Sequence, residues 1–531
     1  MNIFGIKPGH DGHICSIEDG LLVFSHEAEK NSGNRYAEAS ALDLLDAATR
    51  VRNIPDAFAV SGWTIGTNPK GDPIGAGYFG LSAPEIRKRR ILGQKVLVGT
   101  SSHERSHLMC SYAMSPFPQG EPCYAIIWEG FIGAIYRIDG CLNISRLAHV
   151  MLAPGDRYAF AYALADPTFS LPAGKIRLAD AGKVMALAGF HRTIAASRDE
   201  TELLKTLLDS DDIDFCLDKT NYSNFEACNC GIDADASKRL ARLVSDSIFS
   251  RFSEALEKHC CEKLPLIIGG GCGLSCEWNS RILHSGQFQD IFIPPCCNDV
   301  GSAIGTSVDI QWSLTGNAKL AWSVYAGQHF IDDVFATSMG AEDDFRYVSG
   351  GLSVIADEIW KGKIVAWVSG RAEIGPRSLG NRSILAAPFL VETRDHLNKI
   401  KRREKFRPIA PVCLEEDLKK HFEISGPSPY MLQFAKVRSP KLAAIAHVDG
   451  TARPQSVSRA QNILLYDLLL AFRALSGYGV LCNTSLNFKG CGFINKGTDL
   501  VRFAREADLD GVVIEGALFL RNRATAVDAY V

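Results

Sequence analysis

One supersecondary unit occurs twice in this chain. Residues 2–6 are apolar and extended, Gly9-His10-Asp11-Gly12 turns the chain, 14–17 runs back, Asp19-Gly20 turns it again and 21–24 closes the unit. The same order returns as 124–128, Glu129-Gly130, 134–138, Asp139-Gly140 and 142–145. Asp-Gly between apolar runs is the strongest short hairpin signal, because the favoured two-residue turns need positive φ at their central positions. Each copy therefore predicts three short strands, with an acid beside glycine at the first turn and Asp-Gly at the second. A repeated unit of this size restricts the fold more than any single motif does. Two unrelated hairpins would give the same local pattern, so the reading depends on what lies between and beyond them.

The chain beyond the second copy reads as α/β. Over 239–259, Leu240, Leu243, Val244, Ile248, Phe252 and Leu256 recur at three and four, which predicts an amphipathic helix. It leads into an apolar strand at 264–268, the turn Gly269-Gly270-Gly271-Cys272-Gly273 and a helix over 274–283. Strand, glycine turn and helix aim backbone N–H groups at an anion, as in a nucleotide cleft. The chain turns polar near 343–351, and beyond it strands at 364–368 and 479–482 alternate with helices at 352–360 and 462–475. Two domains are expected, 1–345 and 352–531, the second a smaller α/β unit. A duplicated hairpin unit with an acid at its first turn is how the actin, Hsp70 and sugar-kinase fold is assembled. The expected class is therefore α/β, with a duplicated actin/Hsp70-like (ribonuclease-H-like) domain first.

Composition removes several alternatives. Among 531 residues, Lys and Arg number 57 against 60 Asp and Glu, so no global basic field attracts nucleic acid or anionic lipid. No apolar run reaches roughly 18 residues, and no charged stretch precedes a long apolar one at the start. Sixteen cysteines in so long a chain do not form a disulfide framework. Neither Cys260-Cys261, Cys296-Cys297 nor Cys228-x-Cys230 has the paired spacing of a structural zinc site. The cytoplasm is the expected compartment.

His103-Glu104-Arg105-Ser106-His107 puts two imidazoles four residues apart, on one side of a helix, as metal ligation requires. The pentapeptide satisfies H-E-x-x-H. A zinc peptidase reading nevertheless lacks its downstream ligand and leaves the duplicated hairpins unexplained. Further ligands are acids at strand ends, Glu129 and the Asp299 of Pro294-Pro295-Cys296-Cys297-Asn298-Asp299; ordinary helix-surface histidines are the alternative. His10 and Asp11 occupy a glycine-flanked turn, where a histidine can take a proton from a hydroxyl or simply be solvated. In the second half, Gly370 to Ser383 contains Arg371, Arg377 and Arg382, and Lys399 to Pro408 contains Lys401, Arg402, Arg403, Lys405 and Arg407. Guanidinium forks and ammonium groups interleaved with Gly-Pro and Gly-Asn turns suit a small, multiply charged anion better than a solvated basic face. Asn483-Thr484-Ser485 ends a strand with amide and hydroxyl groups suited to a carbamoyl or phosphate group.

These residues, with Lys7-Pro8-Gly9-His10-Asp11-Gly12, Asp180-Ala181-Gly182-Lys183, Gly269–Asn279, Ser428-Pro429-Tyr430-Met431 and His447-Val448-Asp449-Gly450-Thr451-Ala452-Arg453, resemble in order the O-carbamoyltransferases of antibiotic and nodulation-factor biosynthesis. The Lys-Pro-Gly-His-Asp-Gly opening looks most like members acting on 3-hydroxymethylcephems. The resemblance implies an actin-fold domain like that of tRNA threonylcarbamoyladenosine synthases, followed by a YrdC-like domain. The second would join ATP (with Mg2+) and carbamoyl phosphate into carbamoyladenylate, and the first would transfer the carbamoyl group to a small-molecule hydroxyl. By motif, Lys401, Arg407 and Ser485 would hold carbamoyl phosphate, with Arg377 and Asn483 in the same pocket. His103, His107 and Asp299 would bind Fe2+ or Mn2+, with Glu129 where the family pattern has Asp. His10 would be the general base, and Asp11, Lys183, Gly270, Gly271 and Asn279 would face the carbamoyladenylate. No nucleic-acid or membrane partner is implied. A tRNA-modifying synthase would need a basic RNA-binding face. An actin/Hsp70-like ATP-driven binding protein would leave Arg377, Lys401 and Arg407 without a purpose.

Overall fold

A computed structural model describes the whole chain except residues 52, 63–65, 68–72, 75, 92, 211, 213–214, 336–343 and 523–531. It divides into two compact units, Met1–Val23 with Leu44–Trp322, and Phe24–Asp43 with Ser323–Val531.

The two hairpin copies form two sheets of one topology, built on the first unit, the last strand of the first copy running on into residues that group with the second. Asn2–Lys7, His13–Glu18 and Leu21–Glu27 form an antiparallel meander, and Ala57–Ser61 then Gln94–Ser101 add parallel beside Asn2–Lys7. Cys123–Trp128, Gly133–Ile138 and Ile144–His149 repeat the meander, with Leu266–Gly269 and Ile291–Phe292 adding parallel in the same way. An order of 3-2-1-4-5 in both halves is the duplicated ribonuclease-H-like architecture expected from the repeat; the first sheet carries one extra antiparallel edge strand, Glu85–Ile91.

The two Asp-Gly turns differ. Asp19 (φ 48) and Gly20 (φ 82) make the tight turn the sequence predicts. Asp139 instead caps a longer loop, its carboxylate accepting from the N–H groups of Cys141 and Asn143 at 2.9 Å each, so the third strand begins at Ile144 and not at 142. The helix expected over 239–259 starts one turn earlier, as Asp235–His259. Its Phe252 packs 4.9 Å from Trp128, which also meets Trp278 at 5.0 Å, in the core of the second half.

The second unit is an eight-stranded mixed sheet. Val365–Val368 and Val480–Ser485 fall where the sequence places strands, and Gly351–Trp360 and Ile463–Ser476 where it places helices. Those two helices cover one face through Ile355, Ile359, Leu465 and Phe472; Leu397, Leu500 and Phe503 contribute to the core on the other.

The boundary expected near 343–351, part of which lies outside the described residues, differs from the observed division. Residues 323–331 already lie along the second unit. Ala372 N–H donates to Gln328 O at 2.8 Å and Asn495 Nδ2 to His329 O at 2.8 Å. Residues 24–43 group with that unit as well: Gly375 N–H donates to Glu27 at 2.8 Å, and buried Lys30 bonds Glu27 at 2.7 Å and Gly375 O at 3.1 Å. A segment hydrogen-bonded to residues hundreds of positions away leaves no local composition signal. Among the described residues no helix is long and apolar enough to cross a membrane.

Candidate functional site

Ser102 starts the helix His103–Met114 by accepting from Arg105 N–H at 3.1 Å. The helix lies so close to Gly301–Thr315 that a Cβ at Gly305 would fall 1.8 Å from Ser106 O. Arg105 adds a buried two-pronged ion pair to Asp309, both contacts 2.8 Å. This packing brings the start of the first helix against the turn that carries Asp299.

His103, His107, Glu129 and Asp299 meet there, all buried, with one donor atom of each within 4.8 Å of all the others. His103 Nε2 lies 3.1 Å from His107 Nε2, 3.2 Å from Glu129 Oε2 and 3.6 Å from Asp299 Oδ1; His107 Nε2 lies 3.6 and 3.5 Å from the same two oxygens. Donors about 2.1 Å from a common centre stand roughly 3.0–3.4 Å apart at octahedral or tetrahedral angles. The spacing fits a divalent cation, and glutamate at 129 reaches the cluster. The charge balance fits as well. Burial would lower His107, yet Asp299 and Glu129 lift it to about 9; burial would raise Glu129, yet His103 and His107 hold it down to about 2. Two carboxylates enclosed with two imidazoles draw in positive charge. Glu104 is not part of the cluster: its carboxylate accepts from Tyr136 at 2.7 Å, Arg146 and Gly80 N–H at 2.8 Å. The H-E-x-x-H match is therefore coincidental.

His10 borders this cluster, its Nε2 3.5 Å from Asp299 Oδ2 and its Nδ1 3.6 Å from Asp11 Oδ2. Burial opposes its protonation, but Asp11 and Asp299 outweigh that and raise its pKa. Asp11 sits at φ 53, in the turn the sequence predicts. Lys7, to which the motifs assign no role, donates to His10 O and lies 3.5 Å from Asp299 Oδ2. Gly270 (φ +88) allows no side chain, since a Cβ would fall 2.4 Å from Trp128 O, whereas Gly271 has open space. Asn279 spends its amide on Gly273 O at 2.7 Å, bracing the glycine turn. Lys183 stands on the helix Ala181–Ala188, 2.8 Å from Asp180 Oδ1.

In the second unit, Arg382–Ala386 and Val480–Ser485 pair antiparallel and bring the 377–383 loop beside Asn483. Asn483 Nδ2 donates to Ser378 O at 3.2 Å and Gln455 Oε1 at 3.0 Å. Glu373, inside the 370–383 motif but given no role by it, organises that loop: its Oε1 accepts from the N–H groups of Leu379 and Asn381 at 2.7 Å and Arg382 at 3.2 Å. Lys401 is buried, and its ammonium bonds Ser485 O at 2.6 Å, Asn487 O at 2.8 Å and Asn487 Oδ1. Those three acceptors match its three protons, so in this arrangement it fastens the 485–487 turn. Burial, then Arg403 and Arg35, hold its pKa well below the usual lysine range. Arg407 lies 3.8 Å from Glu404. Arg403, which the motifs give no separate role, is pushed down to about 9, first by desolvation and then by the charges of Arg407 and Arg453. The buried Nε of Arg453 has no hydrogen-bond partner among the described residues. Three cations that repel one another in a partly buried setting are what an anion site offers.

Comparison with known proteins follows this division. Residues 83–308 match the family model described as carbamoyltransferase N-terminus, and 356–521 match carbamoyltransferase C-terminus. The 3'-hydroxymethylcephem-O-carbamoyltransferase of Amycolatopsis lactamdurans is 42% identical over 98% of this chain and 99% of its own length. The chain belongs to the carbamoyltransferase family. The Streptomyces clavuligerus protein of the same name is 41% identical over 98% of this chain and 99% of its own, and nodulation protein U of Sinorhizobium fredii 32% over 99% and 100%. One solved structure, the activator of 2-hydroxyisocaproyl-CoA dehydratase from Clostridium difficile with bound ADPNP, overlaps this carbamoyltransferase distantly: TM-score 0.34, 12% identity, over 58% of this chain and 93% of that one.

The carbamoyltransferase thus carries two candidate sites, one per unit. Motif spelling makes His10, His103, His107, Glu129 and Asp299 legible. Lys7, Arg403 and Arg453 lie inside recognisable motifs but their surroundings depend on the fold. Tyr78 belongs to neither group: its glycine-rich stretch 75–79 reads as a variable segment that could meet the acceptor, whereas its hydroxyl donates to Glu129 Oε1.

Proposed function

We propose that this carbamoyltransferase is ATP-dependent and acts on a hydroxyl of a small natural product of the 3-hydroxymethylcephem type. In this reading the second, YrdC-like unit joins carbamoyl phosphate and ATP into carbamoyladenylate and pyrophosphate, and the first unit transfers the carbamoyl group. The observation that carries it is His10 standing 3.5 Å from Asp299, a member of the four-donor cluster. A general base and a cation site side by side are what alcohol attack on an acyl phosphate-type donor needs. The full-length match to two proteins named for O-carbamoyl transfer supports the acceptor class.

His103, His107, Glu129 and Asp299 would hold Fe2+ or Mn2+, which when bound would grip the adenylate phosphate and offset the charge of the departing group. His10 takes the acceptor proton through Nε2, and Asp11 at Nδ1 steadies the ring as it becomes cationic. Gly271, with open space beside it, lets the backbone approach the nucleotide, and Gly270, its N–H donating to Cys297 O at 2.8 Å, shapes the turn beneath, with Asp11, Lys183 and Asn279 around it. In the second unit Arg403, Arg407 and Arg453 would neutralise carbamoyl phosphate, with Arg377, Asn483 and Ser485 around its carbamoyl end and Lys401 supporting the Ser485 turn.

The test is incubation with ATP, Mg2+, carbamoyl phosphate and a panel of hydroxylated acceptors that includes a 3-hydroxymethylcephem, read by mass spectrometry and pyrophosphate release. Pyrophosphate that depends on carbamoyl phosphate, with a carbamoylated product, is expected. ADP released without carbamoyl phosphate would instead mark an Hsp70-like ATPase.

A further inference from the structure

Tyr78 touches two of the four clustered donors. Its hydroxyl donates to Glu129 Oε1, the oxygen that Ile132 N–H also holds at 3.3 Å, while Glu129 Oε2 faces His103 and His107. Its ring lies 4.6 Å from that of His103, tilted by 30°. The segment carrying it is fastened to the first turn of the histidine helix. His103 N–H donates to Gly77 O at 3.1 Å and Glu104 N–H to Tyr78 O at 2.9 Å. Gly80 N–H donates to Glu104 Oε2 at 2.8 Å, and Ser102 Oγ to Gly80 O. These bonds use N–H groups that a helix start leaves without partners, so Tyr78 is set by the same structure that sets the histidines.

We propose that Tyr78 is a positioning residue for the cation site: by pinning Oε1 of Glu129 it fixes Oε2 as the oxygen presented to the cation. Glutamate has one more rotatable bond than aspartate, so an unpinned carboxylate here would lose more freedom on ligation and bind more weakly. Groups that orient metal ligands in this way typically account for 10- to 100-fold in affinity. This role rests on the reading of the cluster as a cation site.

The experiment is titration of the full-length protein with Mn2+ against a competing chelator, with free Mn2+ read by electron paramagnetic resonance. Tyr78→Phe keeps the ring over His103 and removes the hydroxyl. Its Mn2+ affinity should fall 10- to 100-fold while its thermal midpoint stays near that of wild type. Phe79→Leu, on the same segment with its ring 5.2 Å from that of Tyr78, should bind Mn2+ like wild type. Affinity of Tyr78→Phe within twofold of wild type overturns the role of Tyr78, as does an equal loss in Phe79→Leu, which would signal general loosening of the segment. A wild-type protein that takes up none of Mn2+, Fe2+ or Zn2+ overturns the cation-site reading, and the role of Tyr78 falls with it.

Discussion

His10 has a carboxylate near each ring nitrogen, Asp11 at 3.6 Å and Asp299 at 3.5 Å. An imidazole so placed can accept a proton and be stabilised once charged, and losing such a base costs roughly 10²–10⁴ in rate. His10→Ala should lower carbamoyl transfer by about that factor while carbamoyl-phosphate-dependent pyrophosphate release continues; transfer at the wild-type rate would remove His10 from the chemistry. A second residue reports on stability. Burial pushes Glu27 up to about 7, against partial relief from Lys30. The folded protein therefore holds a proton that the unfolded chain releases near the ordinary glutamate value of about 4.3, and stability falls as pH rises from there to 7. Glu27→Gln should flatten that part of the curve, whatever it costs in the lost pairing with Lys30. Denaturant midpoints measured from pH 4.5 to 7.5 that run parallel for both proteins would contradict this. The same contrast sets what a sequence reveals at this scale. His10 and the histidine pair announce themselves because spacing fixes their geometry. Lys401 reads as a phosphate ligand, yet its protons go to the 485–487 turn, a pairing that exists only once the end of the helix Val391–Ile400 meets the end of the distant strand Val480–Ser485.

The histidine helix and the helix Gly301–Thr315 approach through Gly305 and are locked by Arg105 and Asp309. Removing one partner of a buried ion pair leaves the other charge uncompensated and costs about 3–5 kcal/mol. Asp309→Ala should lose that much in urea unfolding and bind Mn2+ more weakly, because the same contact presents His103 and His107 to Asp299. A loss below about 1 kcal/mol would show that the helix pair is held by packing alone. The hairpin copies are legible as elements because alternation and Asp-Gly are local signals. The Asp139 loop is not, since its length depends on side-chain capping that Asp-Gly spelling does not encode. Strands Ala57–Ser61 and Gln94–Ser101 are equally hidden: both need the sheet already built before their short apolar runs mean anything.

At the scale of the molecule, duplication in the sequence foretells the two 3-2-1-4-5 sheets, but the chain's division does not follow composition. Residues 24–43 belong with 323–531, held by Glu27 and Lys30 at Gly375. A fragment of 323–531 should accordingly be poorly soluble or open to proteolysis, and supplying 24–43 joined by a linker should restore a cooperative melt. A fragment that melts cooperatively without that segment would show the segment to be dispensable.

The same arrangement bears on how the protein is made. Residues 24–43 leave the ribosome about 280 residues ahead of residue 323, where the rest of their unit begins. At 5–20 residues per second the nascent segment waits roughly 15 to 55 s. Over that interval Leu42, exposed even in the finished unit, stays in solvent, while Glu27, at the end of a strand that can already pair in the first sheet, and Lys30 lack the Gly375 backbone that later covers them.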